Sequence, residues 1–268
     1  MPGKRSGQWR DVVVMVVAVF GVLLSAMSED SVRAAEPQTS SSAGQEVEYR
    51  AGGETVKAYL AVPSEGEARG SVIVAHEWWG LNKQIRTVAD RLAASGFLAI
   101  VPDLYRGQVA ADPEQAHELM RGLQESRASS ILRDTASYLR ASGKNTDLKA
   151  ASLGFCMGGR LALMAALDGH ELSAVVMYYG RPVLEEDRLQ SLEAPVLGLF
   201  GAEDRGIPED DVRAFESALR RAGKKIDVRI YEGAGHAFFN DTRSSYNSEA
   251  ASDAWSRTLV FLEKTLAQ

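Results

Sequence analysis

Cys156 is the only cysteine in a chain of 268 residues, and its surroundings mark it for chemistry. It stands in Gly154-Phe155-Cys156-Met157-Gly158-Gly159, after an apolar run that reads as a strand and before Arg160-Leu161, which continue a helix. This is the nucleophile-elbow pattern G-x-S-x-G with sulfur in place of oxygen. A sharp strand-to-helix turn holds the nucleophile in a strained backbone conformation, so its neighbours must lack side chains. The helix N-terminus also favours a thiolate over a thiol. The alternative is a structural cysteine beside a glycine-rich packing contact. The glycine bracket and the strand-turn-helix context favour the nucleophile.

A thiol nucleophile needs a base, and the base needs a group to orient it. Of the four histidines, His117 falls in a charged helical stretch and His170 in a polar loop, so both read as solvated. His76 closes an apolar run, while His236 lies in Gly233-Ala234-Gly235-His236, directly after the last strand-like segment. Asp204, in Gly201-Ala202-Glu203-Asp204, follows the preceding strand-like segment, with Glu203 as the rival acid. Nucleophile, acid and histidine in that chain order match the triad order of α/β-hydrolases.

These residues must be placed by the segments between them, which alternate strand-like and helix-like patterns. Glu54 to Val62 alternates as an early antiparallel strand, Ser71–Ala75, Phe97–Val101, Ala150–Phe155, Ala174–Tyr179 and Val196–Phe200 are short apolar strand-like runs, and Ile226–Tyr231 reads as a final strand. Helical spacing follows Asn82, spans 113 to 141 as two helices, and recurs from about Met157, after Pro208, and around Trp255 to Leu266. Such alternation implies a mostly parallel sheet with helices on both faces. In these sheets functional residues collect beyond the carboxyl ends of the strands.

The N-terminus reads differently. Lys4, Arg5 and Arg10 precede an apolar run, Val12 to Leu24, that is shorter than the ~20 residues a transmembrane helix wants. With Val32-Arg33-Ala34 as a cleavage site, residues 1–34 read as a signal peptide, or else as an uncleaved anchor. Residues 35–44 form a polar spacer, and 45–268 the hydrolase-like domain. Export to the periplasm or beyond is the expectation, with membrane contact only through an uncleaved leader. At 45% hydrophobic and 25% charged, the chain is not wholly disordered. Its net charge of -6 argues against nucleic-acid partners. One cysteine excludes an intramolecular disulfide and a multi-cysteine zinc site, and no nucleotide fingerprint or P-loop occurs, so neither metal nor cofactor is expected.

Beyond the elbow, His76-Glu77-Trp78-Trp79-Gly80-Leu81-Asn82, Pro102-Asp103-Leu104-Tyr105 and the Asp204 and His236 loops complete a pattern. From about residue 45 to 268 the chain resembles the dienelactone hydrolase family, α/β-hydrolases with a cysteine-histidine-aspartate triad. The resemblance implies Cys156, His236 and Asp204 as that triad. It implies Glu77 as an acid that contacts the cysteine and controls its ionisation, although a strand-ending acid also fits a structural hydrogen-bond partner. The N–H groups of Met157 and Trp78 are implied as the oxyanion hole. Trp79 fits pocket and packing roles equally.

In the family two arginines bind a substrate carboxylate. Arg106, directly after Tyr105, matches one approximately, and these two residues are the implied substrate contacts. The other position, four after His236, is Asn240, with Arg243 the nearest arginine. The expected protein is therefore a monomeric, exported enzyme cleaving small lactones or esters through a cysteinyl acyl-enzyme. The alternatives are a broad carboxylesterase or thioesterase, and a non-catalytic binding module on the same fold.

Overall fold

The computed structural model describes residues 44–141 and 148–266. The leader expected at 1–34 and residues 35–43 of the spacer lie outside them. Among the described residues eight strands form one sheet: β1 (Gln45–Ala51), β2 (Glu54–Ala61), β3 (Ser71–Ala75), β4 (Leu98–Pro102), β5 (Ala150–Phe155), β6 (Ala174–Tyr178), β7 (Val196–Gly201) and β8 (Ile226–Tyr231). Their spatial order is β1-β2-β4-β3-β5-β6-β7-β8. The β1–β2 and β2–β4 pairs are antiparallel, and the rest are parallel. β1 is an addition to the sequence reading. It carries the period-two pattern Val47, Tyr49, Ala51 and turns into β2 at Gly52-Gly53, where both residues have positive φ.

Among the described residues seven helices accompany the sheet: α1 (Lys83–Ala94), α2 (Pro113–Gly122), α3 (Glu125–Ala141), α4 (Met157–Leu167), the short α5 (Glu186–Leu189), α6 (Glu209–Arg221) and α7 (Ser248–Leu266). Successive strand residues point to opposite faces, so the parallel strands are apolar throughout. Val72, Val74, Leu153 and Phe155 pack with α1 and α7, while Ile73, Ala75, Val175 and Met177 pack with α3, α4 and α6. Helix α1 shows how local sequence builds a layer. Asn82 caps it by accepting the Ile85 N–H at 3.1 Å, its stripe Ile85, Val88, Leu92 is buried, and Gly96 leaves it at φ +88°.

The chain leaves β3 for β4 on one side, while β5 lies on the other. That reversal of direction opens a crevice at the carboxyl ends of β3 and β5, where α/β sheets place their ligands.

Candidate active site

Cys156 caps α4 immediately after β5, at φ 54° and ψ -120°. For a side-chain-bearing residue this conformation costs roughly 1–3 kcal/mol. The surroundings hold it there. The Cys156 N–H donates to the Tyr178 carbonyl at 3.0 Å, and the Cys156 carbonyl accepts the Gly159 N–H at 3.0 Å. The flanking glycines are a consequence of crowding: a Cβ on Gly154 would lie 2.0 Å from the Gly158 oxygen, and one on Gly158 would lie 2.2 Å from the Ala75 oxygen. The turn thus packs β5, α4 and β3 backbone against backbone, with the half-buried sulfur at the first turn of α4.

Two further strand ends complete a chain of hydrogen bonds. His236, in the loop after β8, places Nε2 3.1 Å from the Cys156 sulfur, and its Nδ1 lies 2.6 Å from Asp204 Oδ2. Asp204 is 4% exposed, and its Oδ1 accepts the N–H groups of Gly206 and Ile207 at 2.9 and 3.2 Å. Glu203 makes no such contact with His236 among the described residues, which separates the two acids that spacing left open. Burial alone would lower the His236 pKa, but the Asp204 carboxylate and the Cys156 sulfur raise it to about 10. The imidazole can therefore hold a proton beside the sulfur at neutral pH, and pass it on.

Glu77, two residues beyond the end of β3, is buried beside this relay. Tyr179 OH donates to its Oε1 at 3.2 Å and Asn240 Nδ2 to its Oε2 at 2.7 Å. Asn240 is oriented in turn, because its Oδ1 accepts the N–H and the hydroxyl of Thr242 at 3.1 and 2.7 Å. Burial pushes the Glu77 pKa up, against the hydrogen bonds of Asn240 and Tyr179 and the charges of His236 and Arg243. The direct contact with Cys156 that the resemblance implies is not made. The two Glu77 oxygens accept from Tyr179 and Asn240, and the hydrogen-bond partner of the sulfur is His236. Asn240 is thus a site residue that sequence reasoning registered only as a missing arginine.

The expected substrate contacts divide. Tyr105 reaches the site, its hydroxyl 3.4 Å from the sulfur of Met157. Arg106 has a different partner from the one expected. Its side chain is 67% exposed and its Nε donates to Glu54 Oε2 at 2.9 Å, an acid at the start of β2 that also pairs with Arg127. Arg243 instead lies over Trp79, its Cζ 3.6 Å from the ring centroid, with Nε buried and unbonded. Trp79 is packed, 8% exposed, whereas half-buried Trp78 meets His117 edge-on at 4.7 Å. The Met157 and Trp78 N–H groups donate to no protein acceptor among the described residues, as an oxyanion hole requires. A cleft of about 550 Å³ between α1 and α7 is lined by none of the relay residues.

The profile of the dienelactone hydrolase family matches residues 56–266. Protein usf of Aquifex pyrophilus is 32% identical over 231 residues, which span 83% of this chain and 99% of that protein. An Escherichia coli K12 protein named "Putative carboxymethylenebutenolidase" is 33% identical over 227 residues, covering 79% of this chain and 83% of its own. Among solved structures, one described as "Putative Dienelactone Hydrolase" from Klebsiella pneumoniae superposes with a TM-score of 0.74 at 34% identity, covering 81% of this chain and 96% of that one. With its sheet order and elbow, the chain belongs to the dienelactone hydrolase family and is a carboxylic ester hydrolase on an α/β-hydrolase fold.

Proposed function

We propose that the protein hydrolyses small lactones or esters through an acyl-enzyme on Cys156. The observation that carries this reading is the continuous path from sulfur to imidazole to carboxylate, 3.1 and then 2.6 Å, at a strained elbow. The Cys156 thiolate attacks the acyl carbonyl, and the resulting oxyanion is held by the N–H groups of Met157 and Trp78. The tetrahedral adduct collapses to a thioester as His236 gives its proton to the departing alkoxide. His236 then takes a proton from water, the hydroxide attacks the thioester, and the thiolate leaves with the acid as product. Asp204 keeps Nδ1 protonated throughout and stabilises the imidazolium. Glu77 is held by Tyr179 and Asn240 and makes no hydrogen bond to the sulfur. Turnover of p-nitrophenyl acetate, abolished in step with iodoacetamide labelling of Cys156, supports the reading; full turnover after stoichiometric labelling contradicts it.

The substrate range follows from the arginines. With Arg106 engaged by Glu54, the guanidinium whose field reaches Glu77 is that of Arg243. A charge-assisted hydrogen bond to a substrate carboxylate is worth about 1.5–3 kcal/mol, or tenfold and more in kcat/KM. Arg243→Ala is expected to lower kcat/KM for an anionic ester by about tenfold relative to its neutral analogue, and Arg106→Ala to leave that ratio unchanged. Matched anionic and neutral esters decide it. An unchanged ratio in Arg243→Ala removes the anion preference and leaves a broad carboxylesterase.

We further propose that residues 1–34 direct export, on the order of basic, apolar and small residues. Intact mass of protein recovered outside the cytoplasmic membrane is expected to start near Ala35. A chain that keeps Met1 in the membrane fraction supports the anchor instead.

A further inference from the structure

His76 is fully buried, adjoins Glu77, and takes no part in the proton relay. Two contacts define its tautomer. The Leu104 N–H donates to Nε2 at 3.2 Å, so Nε2 carries the lone pair. Nδ1 lies 2.7 Å from the Glu77 carbonyl oxygen, which can only accept, so Nδ1 carries the proton. Burial pushes the ring's pKa down and keeps it neutral, while Tyr105 packs edge-on against it at 4.9 Å. The ring is therefore pinned between the end of β3 and the loop after β4.

The carbonyl that His76 grips belongs to the same peptide group as the Trp78 N–H. In a trans peptide the C=O and the N–H point in opposite directions. Holding the Glu77 oxygen against Nδ1, with help from the Gly80 N–H at 3.1 Å, aims the Trp78 N–H the other way. That N–H has no protein acceptor among the described residues. We infer that His76 is a positioning residue for the oxyanion hole: its Nδ1–H fixes the Glu77–Trp78 peptide so that the Trp78 N–H meets the developing oxyanion. The inference rests on the acyl-transfer reading above.

The test separates oxyanion stabilisation from integrity of the site. Alkylation by iodoacetamide displaces iodide at a saturated carbon and forms no oxyanion, yet it needs the same reactive sulfur. His76→Leu removes the donor. His76→Asn places an amide nitrogen about where Nδ1 stands and keeps the bond to the Glu77 oxygen. Loss of one oxyanion donor costs about a hundred- to a thousandfold in kcat, and misaiming one costs less. In His76→Leu, kcat on p-nitrophenyl acetate is expected to fall by about ten- to a hundredfold, with KM and the alkylation rate within about threefold of wild type. His76→Asn is expected to keep kcat within about threefold.

An unchanged kcat in His76→Leu overturns the inference, and so does a parallel fall in kcat and alkylation, which marks a merely structural role. If the leucine variant does not fold, His76→Asn decides alone: retained kcat supports the inference, and a loss of about tenfold with normal alkylation overturns it. A wild type that neither hydrolyses the ester nor reacts at Cys156 would instead remove the acyl-transfer reading itself.

Discussion

Replacing Cys156 with alanine is expected to lower kcat/KM on any good ester substrate by roughly four to six powers of ten. The sulfur is the only group at the elbow that can form the covalent intermediate. Among the described residues the nearby tyrosine hydroxyls are engaged elsewhere: Tyr178 OH with Thr258, Tyr179 OH with Glu77, and Tyr105 OH with the Met157 sulfur. What survives should be the weak catalysis by the oxyanion hole and by His236 acting on water. Stability should change little, because alanine must adopt the same φ of 54° and the flanking glycines still allow the turn. Thermal unfolding beside the rate measurement separates lost chemistry from lost fold. A variant that keeps its Tm and also keeps a tenth of the wild-type rate would contradict the assignment.

Asp204→Asn should be nearly as severe, at about three to four powers of ten. The reason lies in the other oxygen of the carboxylate. Oδ1 accepts from Gly206 and Ile207, so an asparagine is compelled to keep its oxygen there and turn its NH₂ toward His236. Two donors cannot face each other, so the imidazole must carry its proton on Nε2, beside the sulfur, where it can no longer act as a base. The pH behaviour follows with its sign. In the wild type the His236 pKa is raised to about 10, from an ordinary value of 6.5. The stabilisation it supplies is complete below the ordinary value and disappears as pH climbs through about 10. In Asp204→Asn the titration of the His236 ring protons, followed by NMR, should fall back toward the ordinary range. A titration still near 10 would mean that the aspartate is not what holds the imidazolium.

The parts of this site that were legible in the sequence are those set by local geometry. The elbow shows itself because two glycines, four residues apart, are each excluded from bearing a Cβ by backbone a few ångströms away. Asp204 and His236 show themselves because they follow strand-like segments, and strand ends are where such sheets expose function. What the sequence did not disclose is pairing at a distance. Glu54 and Arg106 are 52 residues apart, and Glu77 and Asn240 are 163 apart. No periodicity reports which long side chain will find which partner. The same holds for His76, which reads as the end of a buried strand and shows a tautomer only once Leu104 is beside it. β1 differs again: its alternation is present but runs straight on from a polar spacer, and pairing with β2 is what makes it a strand.

The most direct test of the account is the covalent intermediate itself. An ester that acylates quickly and deacylates slowly, quenched in acid during turnover, should leave the intact protein heavier by one acyl group. Peptide mapping should place that group on the Cys156 sulfur, and the adduct should disappear at the rate of steady-state turnover. An acyl group found on any other residue at that same rate, or full turnover by protein whose Cys156 is quantitatively alkylated, would contradict the cysteinyl mechanism.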